Sequence, residues 1–382
     1  MFGMNQLSGF NANFSNTGGT SMIFNNIGAL WSWGNNTYGQ LGLGNRTSYS
    51  SPVQVGSLTN WTCVANGLYH SLALQSDGSA WVWGNNTYGQ LGLGNRTSYS
   101  SPVQVSGTYS WIACTDTSSF LIKNNGTLWG CGQNTNDQLG QGNNTSYSSP
   151  VQIGSDTKWM YISGGGNGAI TAVKTDGTIW GCGQNNNGQL GMGNTTNPIS
   201  RITQVGSDTS YIFSSTTTDC SAVIKNDGSL WTFGNNNNGQ LGTNNKTSYS
   251  TPTQVSGTPS GDTWIFVSMG HNDNCSAVRN DFTLWSWGNG SNFALGQGNS
   301  SNYSVPTQVG IGTNWVYCDN SWSPSGYGIG QDGTLWSWGE NAAGQLGLGT
   351  TTDYTTPAQV GSSVNWLYSK SYNDFVLAIR QS

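Results

Sequence analysis

Short apolar runs recur along the whole chain, separated by turns rich in Gly, Asn, Asp and Ser. The runs hold Val, Ile, Leu, Trp and Tyr, and no stretch keeps the spacing of an amphipathic helix, so β-strands are predicted throughout. The strongest run is a Trp-Gly motif that returns seven times, as LWSWG, AWVWG, LWGCG, IWGCG, LWTFG, LWSWG and LWSWG. Its first Trp falls at Trp31, Trp81, Trp129, Trp180, Trp231, Trp285 and Trp336, with successive spacings of 50, 48, 51, 51, 54 and 51 residues. Around it the order of signals is fixed. The Trp strand leads into a GNNxxGQLGxG turn, a polar loop ending in Pro, another Trp-led strand, and an apolar strand that runs into the next turn.

In four units that turn is Asp-Gly, at Asp77-Gly78, Asp176-Gly177, Asp227-Gly228 and Asp332-Gly333. Asp-Gly between apolar runs predicts a tight primed hairpin with both residues at positive φ. Each unit therefore supplies four short antiparallel strands, and such a sheet cannot bury both faces alone. Seven copies fall within the number that closes a propeller. The expected fold is all-β, a seven-bladed β-propeller of four-stranded antiparallel blades, with the Trp side chains filling the space between sheets.

The run from His70 to Asn95, HSLALQSDGSAWVWGNNTYGQLGLGN, resembles the repeat signature of the regulator-of-chromosome-condensation family. Weaker forms of it extend from about residue 21 to the end, whereas the Gly-Gly pair of kelch repeats is missing. The resemblance implies the same seven-bladed ring. Members of the family include a nuclear exchange factor for a small GTPase, a plant ultraviolet photoreceptor and many uncharacterised scaffolds. The exchange factor implies an inserted β-wedge and a charged face, and the photoreceptor implies clustered Trp and Arg at a dimer face. Neither is carried over, because no unit here holds a long insertion and the Trp residues are accounted for by the repeat core.

The expected organisation is an N-terminal extension over 1–20, a candidate assembly contact, followed by one propeller over 21–382. Its repeats lie near 29–78, 79–126, 127–177, 178–228, 229–282, 283–333 and 334–382. Ring closure is left open between two strands. Residues 21–34, SMIFNNIGALWSWG, align with residues 71–84, SLALQSDGSAWVWG, so the 21–28 segment supplies one partner for the first Trp strand. The C-terminal DFVLAIR, at 374–380, supplies another.

Charge changes the functional picture most. Asp, Glu, Lys and Arg make up 7% of the chain, against about 25% in ordinary soluble domains. Eleven basic residues stand against 16 acidic ones without clustering, which leaves no positive stripe for nucleic acid or anionic lipid. No run approaches the length of a membrane span, and MFGMNQLSGFNANFSNTGG lacks the parts of a secretory leader, so the chain is expected to fold in a cytoplasm. The seven cysteines read as free buried thiols; Cys131 and Cys182 stand where other units have the second Trp.

Catalytic candidates are few. His70 and His271 are the two histidines, and the place of His70 is taken elsewhere by Ser118, Ala169 and Cys220, which marks a packing position. Glu340 is the sole Glu, so a pair of carboxylates for glycoside cleavage is poorly supplied. Metal-ligand spacings and cofactor motifs are missing as well. No enzyme, metal or cofactor is expected. The candidate binding surface is a recurring tyrosine in the loop before Pro, at Tyr49, Tyr99, Tyr147, Tyr249, Tyr303 and Tyr354. Repeated weak aromatic contacts of this kind suit a protein partner, further copies of the chain, or a saccharide. The reading placed first is a structural or adhesive module of an extracellular or virion assembly. The alternative is an intracellular scaffold for protein–protein interaction.

Overall fold

The computed structural model describes residues 27–258, 261–312 and 314–382. The predicted 1–20 extension and most of the 21–28 segment lie outside the described residues. Within them, seven four-stranded antiparallel sheets stand in a ring, and the only helical pieces are single 3-10 turns at Gly166–Gly168 and Ser291–Phe293. Among the described residues, no helix is long and apolar enough to cross a membrane.

One sheet illustrates the plan. It runs β3 (Trp61–Asn66), β4 (His70–Gln75), β5 (Ala80–Gly84), β6 (Tyr99–Val105), from the ring axis outward. The second strand, HSLALQ, is buried at every position, as a strand covered on both faces must be. The outer strand is half-exposed, and six of the seven outer strands carry a proline as fourth residue, as in Pro52 and Pro102. Proline suits this edge, because the register against the Trp strand slips between Val82 and Gly84 and the missing N–H falls in the irregular stretch. Each sequence repeat straddles two blades, its first two strands finishing one sheet and its last two starting the next.

The C-terminal strand closes the ring. β28 (Phe375–Arg380) lies between β27 (Trp366–Tyr372) and β1 (Ala29–Gly34), and β2 (Tyr49–Gln54) completes that sheet. Six residues of β28 pair in unbroken register with β1, from Ala29↔Arg380 to Gly34↔Phe375. Of the two candidate closures, the 374–380 segment is the one in place.

The Asp-Gly hairpins depart from the expected turn. Positive φ is confined to the glycine (Gly78 83°, Gly177 77°, Gly228 79°, Gly333 76°). Gly78 N–H donates to Gln75 O, so Gln75–Gly78 is an ordinary β-turn followed by a left-handed residue. The aspartate contributes through its side chain instead. Asp77 Oδ1 accepts from Ser79 N–H, and Asp176 Oδ1 accepts from both the N–H and the hydroxyl of Thr178. These bonds hold both carboxyls below the usual carboxylate range.

Blades are locked to one another through the second Trp of the motif. Trp33, Trp83, Trp287 and Trp338 are completely buried. Each indole N–H donates across the blade boundary to a backbone carbonyl of the GQLG turn or its equivalent, as Trp83 Nε1 does to Gln40 O at 2.7 Å. Where Cys131 and Cys182 replace Trp, the thiol occupies the same place, 3.5 Å from Gln90 O and Gln138 O. Gln40 O also accepts from Ser71 Oγ at 2.7 Å. Trp83→Phe should therefore lose one hydrogen bond without orphaning its acceptor and cost about 1 kcal/mol, whereas Trp83→Ala should cost about 4 kcal/mol through the cavity it leaves. Urea unfolding of the two variants measures the difference.

The first Trp of the motif is partly exposed, and in five of the seven blades it carries a cation. Lys123, Lys174, Lys225, Arg279 and Arg380 end the second strand of their blades and lie 3.4–4.0 Å over Trp129, Trp180, Trp231, Trp285 and Trp31. Lys174 and Lys225 also pair with Asp156 and Asp208 at 2.7 Å. Five of the 11 basic residues are thus spent on blade packing, which is why so few are free to form a surface field.

Candidate functional site

The site at the ring axis is built from equivalent positions of the seven innermost strands. Their third residues are Cys63, Trp111, Tyr161, Phe213, Phe266, Tyr317 and Tyr368. The six aromatic rings touch in succession, with centroids 4.7–5.2 Å apart from Trp111 round to Tyr368. Together they form a collar that plugs the channel, and Cys63 occupies the seventh place. Burial pushes the Cys63 thiol up to about 12, so it behaves as a small apolar group.

Two residues further along, the strands form a polar ring above the collar. Thr216 N–H donates to Ser163 Oγ, Met269 N–H to Ser215 Oγ, Asn320 N–H to Ser268 Oγ, and Ser371 N–H to Asp319 Oδ2, each across a blade boundary. Asp319 is buried and pairs with Lys370 Nζ at 2.6 Å. Blades with Ala65 and Ala113 at this position leave the ring incomplete. A cavity of about 80 Å³ remains between collar and mouth, lined among others by Asn66, Asn320, His271, Lys370 and Tyr372.

The mouth opens on the face made by the loops that join first to second strands and Trp strands to outer strands. His271 stacks on Trp322 at 5.1 Å and meets Tyr372 edge-on at 4.8 Å. Its Nδ1 accepts from Gly166 N–H and lies 3.1 Å from the Thr218 hydroxyl, so the proton of the neutral ring sits on Nε2. Burial, with help from Lys370, lowers its pKa to about 3. Tyr372 donates its hydroxyl to Asp116, which also accepts from Asn167 N–H. Burial nonetheless raises the Asp116 carboxyl, and the same cause raises Asp219 and Asp273. Glu340 is raised by burial and by Asp374 and Asp353 near it.

His70 is placed elsewhere, completely buried between blades, with Nε2 3.0 Å from Ser119 Oγ. Ser119 Oγ already donates to Gln90 O, so His70 is the donor, and burial lowers its pKa to about 3. The arrangement offers no acid–base partner for that ring. All seven cysteines are free and buried. Among the described residues, no group of three His, Cys, Asp or Glu side chains is placed to hold a metal ion.

The six tyrosines of the predicted surface lie away from this mouth. Tyr49, Tyr99, Tyr147, Tyr249, Tyr303 and Tyr354 each open the outermost strand of a different blade, half-buried against the core. Four of their hydroxyls accept from an asparagine four residues earlier, as from Asn45 Nδ2 to Tyr49 at 3.3 Å. They are distributed round the rim, one to a blade. The mouth residues Asp116, His271, Trp322 and Tyr372 were not singled out by the sequence as a group. Asp116, His271 and Trp322 sit in loops of unequal length, where the repeat gives no register, and Tyr372 is the last residue of β27.

Comparison with known proteins accords with this architecture. The profile of the Regulator of chromosome condensation (RCC1) repeat matches residues 28–74, 77–122, 125–171, 227–275, 283–318 and 332–377. The chain is similar to the ultraviolet-B receptor UVR8 of Arabidopsis thaliana, 27% identical over 207 residues, covering 51% of this chain and 44% of the receptor. It is also similar to the X-linked retinitis pigmentosa GTPase regulator of Canis lupus familiaris, 29% identical over 149 residues, with 38% and 15% covered. The chain thus spans less than half the length of these curated relatives. Among solved structures, human WBSCR16 superposes with a TM-score of 0.83 at 20% identity, covering 93% of this chain and 100% of that one. Prp20p of Saccharomyces cerevisiae, described with its binding to Gsp1p and histones, superposes at 0.80 with 18% identity, covering 94% and 93%. At such identities the superpositions establish the fold alone. The matched repeats cover most of the chain, and the protein belongs to the regulator-of-chromosome-condensation (RCC1) repeat family.

Proposed function

We propose that this propeller is a non-catalytic scaffold that binds a protein partner with its loop face, around the mouth of the channel. The observation that carries the reading is the aromatic collar. With the axis plugged, the cavity above it is far smaller than the several hundred Å³ of an ordinary substrate pocket, so recognition falls to the rim and its loops. Relatives named for regulating or binding other proteins support a protein-interaction scaffold over the extracellular or virion component that composition alone put first. The perimeter tyrosines, each tied to its own blade, are assigned to covering the blade edge.

Site-specific photo-crosslinking of the native protein tests this. A benzophenone amino acid is placed at Tyr38, on the loop face, or at Val364, on the opposite face; both are exposed. The expected result is a heteromeric species heavier than the free 40.5 kDa chain, cross-linked from position 38 and not from 364. Recovery of free monomer without cross-links, or of particles made of this chain alone, overturns the reading.

A further inference from the structure

We propose that the channel mouth is a receptor for one arginine side chain carried by a basic segment of the partner protein, an inference that rests on the scaffold reading above. Charge gives the first argument. Seven loops join first to second strands; four of them carry an aspartate (Asp116, Asp219, Asp273, Asp374), and none carries Lys or Arg. Asp116 and Asp374 both lie close enough to Tyr69 to help push its phenol up. The one ammonium in the mouth, Lys370, is already neutralised by Asp319. Such a rim attracts cations and repels anions.

An acidic rim alone would not make a site, and the floor supplies the second, independent argument. Asn66 and Asn320 are each 3% exposed and line the cavity. Their amide orientations are fixed, because Asn66 Nδ2 donates to Lys370 O at 2.6 Å and Asn320 Nδ2 donates to Ser268 O at 2.7 Å. The Oδ1 of each is then an acceptor, and each is buried without a donor among the described residues. A buried acceptor left this way asks for a ligand that brings hydrogen. Rim and floor both present acceptors, with Asp116 bonded to Tyr372 of the cavity lining, and the complement is a cation with several N–H groups.

The wall selects among cations. His271 lines the cavity and stacks on Trp322 beside it, both rings partly exposed, and the His271 ring is held neutral so that it does not repel. A guanidinium lies flat on an indole and spreads five donors over separate acceptors, whereas an ammonium is a compact point charge that does neither. About 80 Å³ admits the head of one such side chain and excludes a nucleotide or a sugar ring.

Calorimetric titration of the full chain with Ac-Gly-Gly-Arg-Gly-Gly-NH2 and its lysine and citrulline counterparts provides the test. The arginine peptide is expected to bind about tenfold or more tightly than the isosteric but neutral citrulline peptide, and more tightly than the lysine peptide. The double variant Asp116→Asn with Asp374→Asn is expected to lose about tenfold in affinity for arginine. Trp322→Ala should weaken it severalfold, while Asp77→Asn, on the opposite face, should leave it unchanged. Circular dichroism of each variant separates lost binding from lost fold. Equal binding of arginine and citrulline peptides, no binding of either, or equal loss in Asp77→Asn overturns the site. A partner cross-linked to this face through a segment without arginine would sink the arginine site and leave the scaffold standing. Selective peptide binding by a chain that is otherwise free in its source would do the reverse.

Discussion

Replacing Gly183 by alanine is expected to destabilise the ring by about 3 kcal/mol, several times the effect of a surface substitution. The glycine that ends each Trp strand (Gly34, Gly84, Gly132, Gly183, Gly234, Gly288 and Gly339) has φ between 91° and 111°, beyond the left-handed well that other residues can reach. A Cβ added there would lie 1.9–2.4 Å from the carbonyl oxygen of the loop that starts the neighbouring strand, 1.9 Å from Gly168 O in the case of Gly183. Neither group can move, because the contact is backbone against backbone between the second and third strands of a blade. Gly206 is the matched control. Its φ is 60° and nothing lies within 4 Å of an added Cβ, so Gly206→Ala should cost only the strain of a left-handed alanine, about 1 kcal/mol. Urea midpoints for the two variants check the comparison; equal losses would show that the close approach contributes nothing.

The same glycine shows why so much of the fold was legible. Trp-Gly recurs because a local constraint, one close approach at the end of one strand, is imposed seven times at nearly constant spacing. The hairpins were legible for the same reason, although their detail was not. Asp77 was expected at positive φ, yet it stays on the ordinary side and accepts a hydrogen bond from Ser79 N–H, a side-chain role that hairpin statistics do not separate from a backbone one. Ring closure could not be decided from sequence because residues 21–28 and 374–380 carry the same apolar pattern, and only the pairing of β1 with β28 distinguishes them.

The candidate site was far less legible. Its collar is written in the third residue of each inner strand, and aligning the seven strands would have displayed Cys63 as the exception among six aromatics. The signal was available but looked like core. The mouth is different, since Asp116, His271, Trp322 and Tyr372 come from four blades whose loops differ in length and composition, and nothing along the chain relates them. Recurrence drew attention instead to the perimeter tyrosines, and recurrence is what blade packing produces most readily. The low charge content carries the same lesson. It was weighed as a property of the surface, while Lys174 and Arg279, 4% and 2% exposed, show that much of the basic charge is inside, stacked on Trp180 and Trp285.

Removing residues 375–382 is expected to abolish cooperative folding altogether. Phe375, Val376, Leu377, Ala378 and Ile379 are all completely buried, and their burial is worth on the order of 10 kcal/mol. That is comparable to the whole stability of an ordinary domain. The loss is also topological, because β28 is hydrogen-bonded on one side to β27 and on the other to β1. Without it the closing sheet falls into two halves, each with an unpaired edge, and the last blade has no link to the first. Trp366 would then lose the edge-to-face contacts at 6.1 and 6.0 Å with Trp31 and Trp33 that join those halves. Tryptophan fluorescence during urea unfolding, with limited proteolysis alongside, measures the outcome. A shallow, early transition and rapid cleavage are expected. A truncated chain that keeps the full-length midpoint would mean that another strand takes the place of β28, and the matching pattern of residues 21–28 makes that segment the one to delete next.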